Sequence, residues 1–375
     1  VISYIFVIQN SNTNIKNHTI MKIISKLLAV AVAIATLSSC DAFKTADNFD
    51  RPVSQGSPYE LIVIAENDEW QGELGDTLRA VLQSPVPVLN QTEPLFDLLR
   101  TLPSGFKNLV QRHRNILDID INPEHSEAGL SVQYDRFSSP QVILQLTAPN
   151  LKSATAFVDA NRQMLLQVLE STERDRTIAY GQRHYDKGLL QLLHDKFGIT
   201  FNVPKGYVLR NQTDDFAWIS FEMPQSSMGF FIYSYPYTGP KDLSHDALLA
   251  ARNKYAALIP GPSDGSYMTT AEIYDPDYRT FRSEGRLWAE LRGFWDVAND
   301  FMGGPFVSYT TVNTTTNEVV TLDCYVYSPK LPKRNYMREL EHLRYLISFP
   351  EDAPAAAPAT ENATENATEN ATKAE

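Results

Sequence analysis

Three times in this chain a strand pattern runs towards a proline and gives way to an amphipathic helical pattern. Residues 142–146 lead through Pro149 to 153–169, 230–235 through Pro240 to 244–259, and 319–327 through Pro329 to 335–347. The prolines stand 91 and 89 residues apart. Proline lacks the N–H that a strand ladder needs, and its fixed φ already suits a first helical turn. The pattern predicts an α+β fold of mostly antiparallel sheets with helices packed on one face. The even spacing suggests repeated strand–turn–helix units, with chance alignment as the rival account.

The rest of the body alternates irregularly. Residues 59–65 read as a strand with a buried second half, and 72–83 as a helix stopped by Pro85 and Pro87. Residues 96–113 read as a helix broken at Pro103, 116–121 and 130–134 as strands, and 177–196 as a linking helix. Gly303-Gly304-Pro305 predicts a tight turn into a strand over 306–311. These elements divide into two α+β domains, 58–173 and 174–350.

Both ends differ from this body. Met21, Lys22 and Lys26 precede an uncharged apolar run over 27–37, then Leu37-Ser38-Ser39-Cys40. A basic start, a short apolar run and small residues before a cleavage point describe a secretory signal peptide over 21–39. The run is too short to span a bilayer, which takes about 20 apolar residues. Its ending resembles a bacterial lipobox. That resemblance implies cleavage before Cys40, a diacylglycerol on the Cys40 thiol and acylation of the new amino terminus, palmitate being the expected kind of chain. Residues 1–20 would then be an upstream extension of a gene whose true start is Met21. Residues 40–57 read as a polar tether. Residues 351–375, with Ala-Thr-Glu-Asn repeated from Ala359 to Asn370, are expected to be disordered.

Charge narrows the partners. The chain has 33 Lys and Arg against 45 Asp and Glu, a net −12. Loss of residues 1–39, which carry Lys16, Lys22 and Lys26 and no acid, would take this to −15. Nucleic-acid binding needs a clustered positive face, so it is not expected. Two cysteines, Cys40 and Cys324, cannot build a disulfide framework or a Cys-rich zinc site.

Few residues announce chemistry. Asp118, Asp120, Glu124, His125 and Glu127 form the densest acidic group, which could gather oxygens for Ca²⁺ but reads better as a solvated strand face. No His pair has metal-ligand spacing, and no nucleophile elbow or phosphate loop occurs. The expectation is therefore no metal, no cofactor and no catalytic residue. Cys324 lies in an alternating strand and reads as a core thiol. Period two puts Phe231, Tyr233, Tyr235 and Tyr237 on one strand face, which could stack on sugar rings or simply pack across strands. The same period puts Trp288, Glu290, Arg292 and Phe294 together, with an opposite-charge pair among them.

Several motifs then resemble one family. They are Trp295-Asp296-Val297, Asp300-Phe301-Met302-Gly303-Gly304-Pro305-Phe306-Val307-Ser308, Val326-Tyr327-Ser328-Pro329-Lys330 and Lys333-Arg334-Asn335-Tyr336. Upstream, Glu93-Pro94-Leu95-Phe96, Pro103-Ser104-Gly105-Phe106 and His113-Arg114-Asn115-Ile116-Leu117 are similar too. Together they resemble a lipoprotein family of Bacteroidetes-type, Gram-negative bacteria known as domain of unknown function 4837, over about residues 59–349. The resemblance implies a lipid anchor and supplies no activity.

The expected function is a lipid-anchored protein of the cell envelope, at the outer membrane, its periplasmic or surface face left open. It would act as a non-catalytic binding or assembly module for an envelope protein or glycan. One alternative is a hydrolase of envelope glycan or peptide, using carboxylates such as Asp118, Asp120, Glu290 or Asp296. Another is a glycan or ligand receptor using the aromatic strand face.

Overall fold

The computed structural model describes residues 51–350. The upstream stretch 1–20, the signal segment 21–39, Cys40 and the tail 351–375 lie outside the described residues.

The first sheet holds β1 (Glu60–Ile64), β2 (Asp97–Thr101), β3 (Asn115–Ile121), β4 (Gly129–Tyr134) and β5 (Val142–Ala148), in the order β2-β1-β3-β5-β4. All its pairings are parallel except β4 with β5. Parallel neighbours need a crossover. The helices α1 (Asn67–Gln71) and α2 (Glu73–Leu82) lie in the one between β1 and β2. One face packs against α2, α3 (Leu151–Ala160) and α4 (Arg162–Arg183), where Leu78, Leu117, Leu144, Val158 and Leu169 interlock. The other carries Ile62, Ile64, Ile116 and Ile143 beneath Phe106, Val110 and Phe137 from loops. Residues 54 and 55, expected in the tether, bind this body. Ser54 N donates to Ser139 O at 3.2 Å and Gln55 N to Arg112 O at 2.9 Å.

The expected helix over 96–113 is not there. That stretch holds the edge strand β2 and two short 3₁₀ turns, Pro103–Gly105 and Val110–Arg112. Pairing with β1 overrides a local pattern in which adjacent leucines hide the strand period. The predicted helix over 177–196 is two helices, α4 and α5 (Lys187–Phe197). Asp186 caps the second by accepting from Leu189 N at 2.9 Å.

After a short strand β6 (Thr200–Phe201) comes the larger, wholly antiparallel sheet. Its members are β7 (Val208–Gln212), β8 (Phe216–Glu222), β9 (Ser227–Pro236), β10 (Tyr267–Thr270), β11 (Asp277–Ser283), β12 (Arg286–Ala298), β13 (Gly303–Asn313) and β14 (Glu318–Tyr327). The order is β10-β12-β13-β14-β9-β8-β7, with β11 also pairing β12. A last strand, β15 (Ile347–Ser348), pairs with β6. The α+β class therefore stands, and the antiparallel reading belongs to this second sheet.

Helices cover both of its faces rather than one. β9 and β14 are buried almost end to end, the mark of a sheet covered on each side. Leu193 and Phe197 of α5 pack on one face with Met337, Leu340 and Leu343 of α7 (Arg334–Leu343). Leu248, Tyr255 and Ala256 of α6 (His245–Ala256) pack on the other. All three expected strand–turn–helix segments exist, but they are not copies of one unit. β9 and β14 are neighbours whose helices take opposite faces, and β5 belongs to the parallel sheet.

Gly303 and Gly304 lie inside β13, and the chain reverses just before them, where Asn299 has φ 68°. A Cβ on Gly304 would stand 2.1 Å from Val326 O and 3.0 Å from Trp295 Nε1. The glycine leaves room for that indole to donate to Val326 O at 3.1 Å. Three of the resembling motifs thus meet across three strands for a steric reason.

Candidate functional site

The two sheets are joined by charged groups. Glu93, in the loop before β2, is buried, and its carboxylate accepts from Lys333 N at 2.7 Å and Arg334 N at 2.9 Å. It caps the N-terminus of α7 from the other half of the chain, where a negative charge is favoured. Arg334 answers by donating to Pro94 O at 2.9 Å and pairing with Asp97 at 2.6 Å. Glu173 of α4 is a hub within the first half, tying that helix to the start of β3. It accepts from Arg114 Nη2 at 2.6 Å, Asn115 Nδ2 at 2.7 Å and Arg176 Nη1 at 3.0 Å.

Beside these joints lies a cleft of about 320 Å³. Tyr59 and the α4 residues Glu170 and Arg174 form one wall. The opposite wall has Arg279 and Phe281 of β11, Glu290 and Arg292 of β12, and Tyr309 of β13. The floor comes from Arg338, Glu341 and His342 of α7 and from Arg344 and Tyr345 just after it. Register explains the wall, since Arg279 and Tyr309 stand opposite Glu290 on the two neighbouring strands. Helical spacing explains the α7 part of the floor, since 338, 341 and 342 fall on one face. The cleft opens into a groove of about 490 Å³ that shares Glu170, Arg279, Glu290, Arg292 and Arg338.

Its carboxylates are tied up. Glu290 pairs with Arg279 at 2.7 Å and with Arg292 at 3.4 Å. Glu341 pairs with Arg292 at 2.6 Å and Arg338 at 2.9 Å, and Arg338 reaches Glu170 at 3.1 Å. Burial alone would raise the Glu341 carboxyl. Arg292 and Arg338 outweigh it and hold the group down at about 2. Burial presses the His342 ring down to about 3, with the Glu341 charge opposing. That ring lies 3.3 Å from Tyr59 Oη through Nε2 and 3.0 Å from Thr177 Oγ1 through Nδ1. A carboxylate held that far down does not serve as a general acid near neutral pH.

Only part of this cleft was named from the sequence. Glu290 and Arg292 were, as an opposite-charge pair on one strand face. Arg338, Glu341 and Arg344 were missed because charged residues at helical spacing read as a solvated face. The available signal was their alternation with the apolar Met337, Leu340 and Leu343, which leaves α7 almost no face free for water.

The other sequence candidates lie elsewhere. Phe231 and Tyr233 are core residues beneath α6, with the Tyr255 ring 4.2 Å from that of Tyr233, and Tyr235 is half-buried. The face is alternating as expected, but its two central rings are closed to a sugar. Asp118 and Asp120 stay on β3 of the first sheet, where His125 Nε2 meets Asp120 Oδ2 at 3.0 Å. Glu124 is exposed and Glu127 half-buried. Among the described residues no group of three or more His, Cys, Asp or Glu side chains could hold a metal. Glu290 and Asp296 are six residues apart on one strand, about 20 Å, far beyond the about 5–9.5 Å of a glycosidase pair. Cys324 is fully buried, and burial pushes its thiol well up.

The fold and site together define an α+β protein whose two sheets meet at an arginine-rich cleft. Residues 188–345 match the family model described as domain of unknown function DUF4837. Residues 54–181 match a separate model, domain of unknown function DUF8532. The resemblance traced over 59–349 thus divides between two family models, and all three upstream motifs, Glu93-Pro94-Leu95-Phe96, Pro103-Ser104-Gly105-Phe106 and His113-Arg114-Asn115-Ile116-Leu117, fall in the other one. The matched spans meet at the break between α4 and α5, whereas residue 173 lies inside α4. Among solved structures, LpqN of Mycobacterium tuberculosis, described as involved in cell envelope biogenesis, is 12% identical. The match covers 40% of this chain and 82% of that one, with a TM-score of 0.24. The lipid transfer and protein localization domain of human StarD13 is also 12% identical, over 43% and 94%, with a TM-score of 0.21. Neither likeness is close enough to bear on fold or function. No curated protein matches the chain.

Proposed function

We propose that this protein is an envelope lipoprotein, held at a membrane by lipid on Cys40, and that it works as a non-catalytic binding module through the cleft between its sheets. The observation that carries the reading is the state of the cleft carboxylates, each of which is ion-paired to arginine. Fixed charges lining a concave surface recognise a ligand's charge pattern without reacting with it. The anchor rests on the sequence Leu37-Ser38-Ser39-Cys40 after its basic and apolar segments. Among the described residues no helix is long and apolar enough to cross a membrane.

Two measurements test this. Wild type should pellet with membranes and leave them only in detergent, while Cys40→Ala should be soluble. A wild type that stays soluble without detergent removes the anchor. For the cleft, Arg279→Trp places a bulky ring at the rim, where the native side chain is 66% exposed. Affinity capture from detergent-solubilised envelopes should recover a partner with wild type and lose it with this variant. Equal recovery would place the binding surface elsewhere.

A further inference from the structure

Every arginine of the cleft but one has a carboxylate. Arg279, Arg292 and Arg338 share Glu290, Glu341 and Glu170, and Arg174 reaches Asp175 at 3.5 Å. Arg344 differs. It lines the cleft, is 3% exposed, and its Nη1 is buried with no hydrogen-bond partner. Among the described residues no carboxylate stands in ion-pair contact with it. Its guanidinium lies instead 3.9 Å from the ring centre of Tyr345, 5.2 Å from those of Phe281 and Trp288, and 5.6 Å from that of Tyr309. Ring faces offset part of the lost hydration. They accept no N–H in the guanidinium plane, so the fork of donors is left unused. A buried cation in that condition is unfavourable until an anion reaches it.

We infer that Arg344 is the anion-receiving group of the cleft and that it takes a small ligand with a single carboxylate head set between aromatic walls. This rests on the reading of the cleft as the binding site and names what enters it. The planar fork matches a carboxylate through two parallel hydrogen bonds. Phe281 and Tyr345 flank the head with apolar faces, which suits an organic remainder. Glu170, Glu290 and Glu341 share the same walls, so a polyanion is opposed where a monoanion is not. A volume of about 320 Å³ lies at the small end of ligand cavities, which run from about 300 to 1,000 Å³.

The test uses the full chain in detergent, with acetate, benzoate and inorganic phosphate as probes and chloride balancing the ionic strength. Benzoate should raise the unfolding temperature saturably, acetate less so, and phosphate no more than acetate. In Arg344→Met, which keeps an unbranched side chain among the rings, benzoate affinity should fall about tenfold or more, the factor lost with one charged hydrogen bond. The Arg344 Nε–Hε resonance of the wild type, in arginine-labelled protein, should shift with the same saturation. That measurement decides the matter alone if Arg344→Met does not fold. An unshifted resonance, tighter binding of phosphate, or equal benzoate binding by Arg344→Met overturns the assignment. Each of these leaves the Arg279→Trp result untouched, so this inference and the reading beneath it fail separately.

Discussion

Replacing His342 by glutamine probes the electrostatics of the cleft floor. The ring is 7% exposed, and glutamine can still meet Thr177 and Tyr59 through its amide. Burial lowers the ring's pKa from 6.5 to about 3; Glu341 opposes this, while Arg338 and Arg174 add to it. The unfolded chain takes up this proton near pH 6.5 and the folded one only near pH 3. The neutral ring's contribution is therefore fully present above pH 6.5 and is lost as pH falls through that window. At pH 5 the unfolded state has gained about 1.5 units of protonation advantage, worth about 2 kcal/mol. Asp323 works the other way, because burial, against the pull of Arg252, raises its carboxyl to about 6. Its contribution grows as pH falls from 6 towards 3.8. That opposing effect is common to both proteins, so their difference isolates His342. Urea unfolding at pH 8 and pH 5 should show wild type losing about 2 kcal/mol more than His342→Gln. The same pH dependence in both, within about 0.5 kcal/mol, would mean that the ring is not held neutral in the fold.

Three further outcomes follow from the packing. Glu93→Ala removes the cap that joins the first half of the chain to α7 and should cost about 2 kcal/mol in urea unfolding; an unchanged midpoint would make that joint dispensable. In a Cys40→Ala background, Cys324 should resist an aromatic disulfide reagent until denaturant unfolds the second sheet, and rapid labelling of the native protein would contradict its burial. Tyr233→Ala opens a cavity under α6 and should cost about 3–5 kcal/mol, whereas a surface platform residue would be near neutral in a melt.

Periodicity carried much of the fold. β3, β12 and β14 were legible through alternation, β9 through a run of aromatic and β-branched residues, and α2 because an apolar stripe ended at a proline. β2 was not, since a five-residue edge strand is held by its neighbour β1 more than by its own pattern. The breaks at Asn161 and at 184–186 carry the capping residues Asn161 and Asp186, a local signal overridden by the apolar periodicity on either side. The wall of the cleft was half visible in the Glu290 and Arg292 alternation. Its floor was not, because Arg338 and Glu341 carry the composition of a solvated face and become interior only when α4 and β12 arrive beside them.

By itself the sequence determined the α+β class, the long strands of the second sheet and the core identity of Cys324. These depend on residue type and on neighbours a few positions away, which the chain states directly. Only the tertiary structure decided that helices cover both faces of the larger sheet, that the aromatic face of β9 lies under α6, and that Glu93 caps a helix 240 residues further on. It also decided that Arg344 is buried with no counter-ion among the described residues. The cost of an unpaired charge is set by the groups that surround it, and those come from strands and helices far apart in the chain.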